Sequence, residues 1–303
     1  MLAIQPLSYA PCRLCPCACG VDRTRGERGF CRQSAALRVA RAAPHFWEEP
    51  PISGAFGSGT VFFSGCTLGC VFCQNRQISQ EDFGAPVTRQ QLRSIFLQLI
   101  DEGCHNINLV TPTHFLPDIV AALIPKLPVP VVMNCGGYES VQTLRALEGV
   151  VDVYLPDLKY LDGSLAARLS GAADYPQVAK AAILEMYRQT GPAQYDEDGQ
   201  MTRGVLLRHL VLPGEVDNSL AVVDWVAQTF PKGAVPLSLM CQYTPMPGMA
   251  PPLDRRVTEE EYAAVMSWMQ LCGLRDGFWQ DYAAATEAYI PSFQLEGIPE
   301  ETL

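Results

Sequence analysis

The stretch Ser64-Gly65-Cys66-Thr67-Leu68-Gly69-Cys70-Val71-Phe72-Cys73-Gln74-Asn75 follows directly after an apolar run, Thr60-Val61-Phe62-Phe63, that is typical of a buried strand. Its three cysteines have the spacing C-x3-C-x2-C. Three thiolates at this spacing can bind three irons of a four-iron cluster and leave the fourth iron without a protein ligand. A structural zinc site normally has four ligands, and no Cys or His follows Cys73 at short range. The stretch therefore predicts a cluster with one iron open for chemistry.

Composition narrows the class of protein. The chain has 303 residues and 48% hydrophobic content, which is enough for one large α/β barrel or two ordinary domains. Its net charge of −10 argues against broad nucleic-acid binding, because that activity needs a basic face. No apolar run long enough to span a membrane and no signal-peptide pattern at the amino terminus is present. We therefore expect a cytoplasmic protein with no nucleic-acid or membrane partner.

Five further cysteines lie close together near the amino terminus. We expect four of them, Cys12, Cys15, Cys19 and Cys31, to form a second metal site, because Gly- and Pro-containing loops let the backbone fold around a metal. Four cysteines suit either Zn²⁺ or a [4Fe-4S] cluster, and their spacing does not separate the two. Cys17 is the surplus thiol, since its use beside Cys15 and Cys19 requires two successive one-residue spacers.

Beyond this module, strand and helix patterns alternate. The clearest helix opens at Thr88, with Gln91 as capping-box partner, and ends at Gly103. After the strand at 60–63, the predicted strands are 106–110, 130–133, 151–155, 205–211 and 234–240, with helices at 175–189 and 259–271 and a hairpin or lid at 194–201. Six such strands predict an α/β fold, a partial (β/α)6 barrel similar to a TIM barrel. The predicted domains are a Cys-rich module and connector at 1–50, the barrel at 51–280 and a C-terminal extension at 281–303.

Active sites of β/α barrels lie at the carboxyl ends of the strands. This rule selects polar residues that follow the predicted strands or lie within them. The candidates for cofactor binding are Phe72 of the cysteine motif and the polar residues Thr111, Thr113, His114, Asn134, Asp157, Lys159, His209 and Gln242. Four of them have structural alternatives: His114 as a helix cap, His209 as a hydrogen-bonded core histidine, and Asp157 with Lys159 as an ion pair.

The cluster motif, with Phe72 before its last cysteine, resembles the radical S-adenosylmethionine (SAM) superfamily. That resemblance implies that SAM chelates the open iron and is cleaved reductively to a 5'-deoxyadenosyl radical. Further matches narrow it to the branch of the pyruvate formate-lyase activating enzymes, and within it to an uncharacterised subgroup with an N-terminal Cys module. These matches are Asn134 to Tyr138, Asp157-Leu158-Lys159 and a strand, 208–214, that ends in Pro-Gly.

The branch resemblance implies that Asp157 and Lys159 contact SAM. Lys can pair with the methionyl carboxylate, and Asp can accept from an amine or a ribose hydroxyl. One departure concerns the SAM amino group. The branch holds it with a Gly-Gly-Glu type turn, where this chain has Thr111-Pro112-Thr113-His114.

The resulting functional hypothesis is a radical SAM enzyme that abstracts hydrogen from a protein or peptide, as a glycyl-radical activase or by modifying a residue. Its expected electron donor is of the flavodoxin or ferredoxin type. Two alternatives are radical chemistry on a small molecule with an auxiliary cluster, and a non-catalytic iron-sulfur or zinc-binding protein. The sequence assigns no catalytic residue that donates or quenches a hydrogen atom.

Overall fold

The computed structural model describes residues 7–280, 282 and 292–299. Its strands are β1 Arg38–His45, β2 Ser58–Phe63, β3 Ala85–Pro86, β4 Ile107–Val110, β5 Val131–Cys135, β6 Val153–Pro156, β7 Gln194–Tyr195, β8 Met201–Val205, β9 Leu207–Leu210, β10 Leu237–Met240 and β11 Phe278–Trp279. Its α-helices are α1 Pro50–Ser53, α2 Arg76–Ser79, α3 Arg89–Asp101, α4 Leu116–Ala122, α5 Val141–Arg145, α6 Gly163–Ser170, α7 Tyr175–Thr190, α8 Val216–Thr229 and α9 Glu259–Leu271. Short 3-10 turns span Arg23–Arg25 and Thr113–Phe115.

Six parallel strands form the barrel wall. One sheet has the order β3-β1-β2-β4-β5-β6-β8-β7 and a second has the order β11-β10-β9. A parallel bridge between Asp157 and Arg208 joins the end of β6 to β9, so β2, β4, β5, β6, β9 and β10 follow one another around a curved sheet. Helices separate successive parallel strands, as right-handed β/α crossovers require. The predicted α/β partial barrel is confirmed.

The interior of the barrel has an apolar floor. Ile52 of α1 is fully buried and packs in one cluster with Val132, Val153, Leu155 and Leu206. Burying a side chain of this size contributes about 1.5–3 kcal/mol relative to leaving it exposed. The short connector between β1 and β2 therefore closes one end of the barrel and carries residues 47–49 into its interior.

The local patterns read from the sequence are present in the structure. Thr88 and Gln91 form a reciprocal capping box at the start of α3, and Leu92, Ile95, Phe96 and Leu99 face the core. The predicted hairpin consists of β7 and β8, which pair antiparallel. Capping of this kind contributes about 1 kcal/mol and fixes the start of the helix.

The sheet also includes a strand that the sequence did not predict. β1 pairs antiparallel with β2, so residues within the predicted connector region extend the sheet. A segment near the carboxyl terminus lies against β1, because the Ala42 N–H donates to the carbonyl oxygen of Glu296 at 2.8 Å. Most of the predicted C-terminal extension, 281–303, lies outside the described residues. None of the helices in the described ranges combines the length and apolarity needed to cross a membrane.

Candidate functional site

The three motif cysteines lie together in the loop that follows β2. This loop, residues 64–75, is the cluster loop. Burial, together with neighbouring Cys70 and Cys73, raises the pKa of the Cys66 thiol to about 12. Burial likewise raises the pKa of Cys73, and Cys70 acts in the same direction. Thiols that repel each other's charge in this way are close in space, and a bound metal cluster would relieve the repulsion.

Each of these sulfurs accepts hydrogen bonds from the surrounding protein. The Leu68 N–H donates to Cys66 Sγ at 3.4 Å. The Ser170 hydroxyl donates to Cys70 Sγ at 2.9 Å, and the Ser79 hydroxyl donates to Cys73 Sγ at 3.3 Å. Hydrogen bonds to ligand sulfurs stabilise the thiolate form and help to set the potential of an iron-sulfur cluster.

The three thiols are donors of the kind that bind iron-sulfur clusters. Across residues 7–280, 282 and 292–299, no three His, Cys, Asp or Glu side chains are grouped as a single metal ion requires. Ligands of a four-iron cluster stand further apart than ligands around one ion, because each binds a different iron. Cys70 and Cys73 line a cavity within the barrel, whereas Cys66 lines a pocket on the other side of the loop.

The cavity has a volume of about 330 Å³ and collects residues from many strand ends. Five of the predicted cofactor-binding residues line it beside Cys70 and Cys73: Phe72, Asn134, Asp157, Lys159 and Gln242. The Phe72 ring also packs 6.1 Å from the ring of Tyr243. The structure therefore brings these five side chains together at the cluster loop.

Asp157 and Lys159 form an ion pair, with Lys159 Nζ 2.6 Å from Asp157 Oδ2. Burial alone raises the pKa of Asp157, but Arg208 and Lys159 hold it below its usual range. Burial lowers the pKa of Lys159, and the charges of Asp157 and Cys70 more than compensate, so the ammonium stays protonated. The pair is charged and lies next to the cluster loop.

Arg208 extends this pair into a buried network. Its Nε lies 3.0 Å from Asp157 Oδ1 and its Nη1 lies 2.9 Å from Glu48 Oε2. Its Nη2 donates to Asn134 Oδ1 at 2.7 Å, and Asn134 Nδ2 donates back to Glu48 Oε1 at 3.0 Å. Charges with this many partners are fixed in position, because breaking any contact leaves a buried polar group unsatisfied.

The remaining predicted residues lie outside the cavity lining. Thr111 has φ 55°, in the left-handed region, and its N–H donates to the Asn134 carbonyl at 2.8 Å. Thr113 donates to Glu139 Oε2 at 2.6 Å, and His114 Nε2 lies 2.6 Å from the carbonyl oxygen of Ser64. The His114 ring therefore braces the start of the cluster loop and does not cap α4.

His209 is a buried, hydrogen-bonded core histidine. Its Nδ1 lies 2.6 Å from the Leu158 carbonyl oxygen and its Nε2 lies 2.9 Å from the Ser219 hydroxyl. Burial lowers its pKa to about 4. The ring connects β9 to α8 on the outer side of the wall, opposite to neighbouring Arg208.

The amino-terminal cysteines cluster against the same loop. Burial raises the pKa of Cys31, with further contributions from neighbouring Cys15 and Cys12. A methyl group added at Gly29 would lie 3.0 Å from Cys19 Sγ and 3.7 Å from Cys31 Sγ, so both sulfurs lie against this glycine. The four predicted ligands are thus neighbours, although no three side chains in the described ranges are grouped as a single metal ion requires.

Cys17 lies in the same group of thiols and is hydrogen-bonded to Cys15. Its thiol donates to the carbonyl oxygen of Thr67, inside the cluster motif, at 3.6 Å. This contact links the amino-terminal module to the loop that carries Cys66 and Cys70.

Several contributors were missed by the sequence reasoning. Glu48 lies in a Pro-rich connector, and Arg208 lies within a predicted strand. Ser79 and Ser170 are the last residues of short helices. Two adjacent carboxylates before Pro50-Pro51 were a visible signal for Glu48. Nothing in the local pattern marks the two serines as partners of cysteines.

Comparisons with known proteins agree with the predicted cluster. Residues 54–122 match the family model described as "4Fe-4S single cluster domain", and this range includes Cys66, Cys70 and Cys73. Three solved structures have similar folds at 14% identity. Streptococcus suis SuiB gives a TM-score of 0.49 bound to precursor peptide SuiA and 0.47 bound to S-adenosylmethionine, in each case over 71% of this chain. Methylornithine synthase (PylB) gives a TM-score of 0.44 over 73% of this chain and 70% of its own. This chain covers only 46% and 45% of the two SuiB chains.

A sequence relative gives the family. The uncharacterized protein MJ0674 of Methanocaldococcus jannaschii is 32% identical over 267 residues, which are 84% of this chain and 72% of the relative. Identity at this level over most of both chains means that the two share one fold and descend from one ancestor. The chain belongs to the same protein family as MJ0674.

Proposed function

We propose that the protein is a radical SAM enzyme that abstracts hydrogen from a protein or peptide substrate. The observation that carries this proposal is that one cavity is lined both by two of the three clustered thiols and by the Asp157–Lys159 ion pair. When bound, the cluster and SAM together supply one-electron reductive cleavage of a carbon–sulfur bond. Cys66, Cys70 and Cys73 are the proposed ligands of the [4Fe-4S] cluster.

The chain's own residues bind and orient SAM in this proposal. Lys159 carries a positive charge close to Cys70 and Cys73, where it attracts the methionyl carboxylate. Asp157 accepts from an amine or a ribose hydroxyl. Arg208 anchors Asp157 and Asn134, so these groups are held in place before SAM arrives.

The shape of the site supports a polypeptide substrate. The cavity extends from β1 to β11, since its lining includes His45 of β1 and both residues of β11. Within the described ranges these two strands are not paired with each other. A segment of another chain can approach between two strands that are not paired, as it cannot in a closed barrel. Generation of a glycyl radical and modification of a residue are both compatible with this arrangement.

The volume of the cavity supports a second candidate. About 330 Å³ is within the range of small-molecule sites. Radical chemistry on a small molecule, with an auxiliary cluster at Cys12, Cys15, Cys19 and Cys31, therefore stays an alternative. Iron and zinc analysis addresses the auxiliary site, because two four-iron clusters contain about eight irons and one cluster plus a structural zinc contains about four.

An acidic electron donor of the flavodoxin or ferredoxin type fits the outer side of the cluster loop. The pocket on that side is lined by exposed Arg32 beside Cys66 and Ser170. A basic side chain at this place favours an acidic partner even though the whole chain is acidic.

The test of the proposed function is SAM cleavage. Anaerobically reconstituted protein is mixed with SAM and dithionite, and 5'-deoxyadenosine and methionine are measured by mass spectrometry. We expect both products in equal amounts from the wild-type protein and neither from Cys73→Ala. Reconstituted wild-type protein that contains iron and sulfide but releases no 5'-deoxyadenosine contradicts the proposal.

A further inference from the structure

The cavity holds one carboxylate more than its cations neutralise. Its described lining contains Glu48, Glu49 and Asp157 as acids and Lys159 and Arg208 as bases. Glu48 and Asp157 both pair with Arg208, and Asp157 also pairs with Lys159. Neither of these two cations makes an ion pair with Glu49, whose pKa is raised by burial while the charge of Arg208 acts in the opposite direction.

Glu49 contrasts with its neighbour Glu48. Both oxygens of Glu48 bind side chains of the buried network. Glu49 is only 8% exposed, yet its Oε2 is buried and has no hydrogen-bond partner among the residues that the structure describes. Burying a carboxylate oxygen without a partner costs free energy of folding. A buried carboxylate oxygen without a partner is a candidate for binding a group of a ligand.

The backbone explains why Glu49 is not used locally. It is the N-cap of α1, where an acidic side chain would normally accept from the first helical N–H groups, but it makes no such bond. The first two helical residues are Pro50 and Pro51, which have no N–H to donate. The carboxyl group of Glu49 therefore lines the cavity together with Ser238, whose hydroxyl makes a hydrogen bond with it.

Two tryptophans line the cavity with Glu49. Trp47 precedes it by two residues and Trp279 lies on β11, and these side chains are 61% and 51% exposed. Indole faces attract cations, and a buried carboxylate beside them binds a cation more strongly than either group alone. The combination is suited to an ammonium or guanidinium group.

Glu49 and Lys159 have different charged neighbours. Lys159 is the cation whose charge reaches Cys70 and Cys73, whereas the charged groups that act on Glu49 are Arg208 and Glu48. The methionyl carboxylate is attracted to Lys159, and Glu49 is not needed for that contact.

We propose that Glu49, with Trp47 and Trp279 beside it, binds a cationic group of the substrate, so that the polypeptide presents a lysine- or arginine-type side chain there. This rests on the proposed function, since it names the class of substrate. SAM also carries an ammonium group, and the experiment distinguishes the two sources of the same chemistry.

The experiment uses the full-length, cluster-loaded protein under anaerobic conditions. Binding of the blocked peptide Gly-Ala-Lys-Ala-Gly and of SAM is measured by calorimetry for the wild type, for Glu49→Gln and for Glu197→Gln. The second variant removes an exposed carboxylate from the hairpin and is the matched control. The same peptide with an acetylated lysine tests whether the positive charge is what is bound.

We expect the lysine peptide to bind the wild type and the control equally, and to bind Glu49→Gln about tenfold more weakly or worse. The acetylated peptide should bind the wild type about tenfold more weakly than the lysine peptide does. The affinity of Glu49→Gln for SAM should differ from that of the wild type by less than about twofold. Equal binding of the lysine peptide to the wild type and Glu49→Gln overturns the proposal. The proposal is also overturned if Glu49→Gln loses affinity for SAM and keeps its affinity for the peptide, because Glu49 then binds the ammonium group of SAM.

Thermal unfolding provides a second readout. An unpartnered carboxylate destabilises the fold, so Glu49→Gln should raise Tm, whereas Glu48→Gln should lower it by breaking a buried pair. A lower Tm for Glu49→Gln would mean that the carboxylate has a structural partner, and it overturns the proposal. SAM cleavage by the wild type is assayed in parallel: absence of cleavage rejects the proposed function, whereas the peptide affinities test the cation site separately.

Discussion

The hydroxyl of Ser170 donates a hydrogen bond of 2.9 Å to Cys70 Sγ across 100 residues of sequence. The Tyr160 hydroxyl lies 2.8 Å from the same serine oxygen. Ser170 is the last residue of α6, so the end of a helix from the barrel wall reaches a predicted cluster ligand. We expect this contact to tune the potential of a cluster bound at Cys70, without the serine being a ligand.

Replacing Ser170 with alanine should lower the reduction potential of the cluster. A hydrogen bond to sulfur stabilises the more negative, reduced state, so its loss disfavours reduction. A difference of about 1 kcal/mol between the two oxidation states corresponds to about 40 mV for one electron. The measurement is a redox titration followed by electron paramagnetic resonance (EPR). Ser94→Ala, on the exposed face of α3, is the control, and an unchanged or higher potential for Ser170→Ala would contradict the role.

Lys159→Met should weaken SAM binding while the visible absorbance of the cluster survives. Losing a buried charge-assisted contact costs about 2 kcal/mol, which corresponds to about 30-fold in Kd. Asp157 keeps Arg208 as a partner, so the variant should fold. Equilibrium dialysis with labelled SAM measures the effect, with exposed Lys232→Met as the control. Equal affinities for the two variants would remove Lys159 from the site.

His209 should make the protein less stable as pH falls from about 6.5 towards 5. Burial lowers its folded pKa from 6.5 to about 4, so in this window the unfolded chain takes up a proton that the folded protein excludes. When the pH has fallen to 4, uptake of this proton by the unfolded chain has lowered the free energy of unfolding by about 3 kcal/mol. Above the unfolded pKa both states are neutral and the contribution is constant. Anaerobic urea unfolding at several pH values gives the slope.

The variant His209→Leu isolates this effect. It loses two hydrogen bonds and is less stable at every pH, but the slope of its unfolding free energy against pH should be smaller than that of the wild type by up to one proton. Identical slopes would show that His209 does not titrate as proposed.

Gly29→Ala should reduce the metal content of the amino-terminal module and spare the cluster at the barrel. Its added methyl group would meet Cys19 Sγ at 3.0 Å, closer than the sulfur can tolerate without moving. Cys17→Ser is the comparison, because the surplus thiol should be dispensable for metal binding. Elemental analysis of iron and zinc decides: loss of metal from Cys17→Ser and none from Gly29→Ala would reverse the ligand assignment.

The sequence predicts features correctly where the residues that define them are close together in the chain. The cysteine spacing, the Thr88 capping box and the strand-end pair Asp157 and Lys159 all lie within a few residues, so periodicity and spacing specify them. The order of six parallel strands followed from the alternation of patterns. Asp157 and Lys159 line the cavity because their strand ends at the same edge of the barrel as the cluster loop.

The rest depends on packing between distant segments. Glu48 and Arg208 are 160 residues apart, and only closure of the barrel floor by α1 brings the glutamate to the arginine. His114 and His209 follow similar strand patterns to Asp157, yet their rings face backbone carbonyls outside the cavity lining. Which way a strand-end side chain points is set by the twist and register of the whole sheet, and one sequence contains no direct record of either.

The most direct test is the EPR spectrum of the reduced, reconstituted protein before and after addition of SAM. The account predicts a [4Fe-4S]⁺ signal that changes shape when SAM is added, because SAM binds the iron that Cys66, Cys70 and Cys73 leave open. The same addition should leave the signal of Lys159→Met unchanged at SAM concentrations that saturate the wild type. A signal from the wild type that SAM does not alter at any concentration would mean that no such open iron exists.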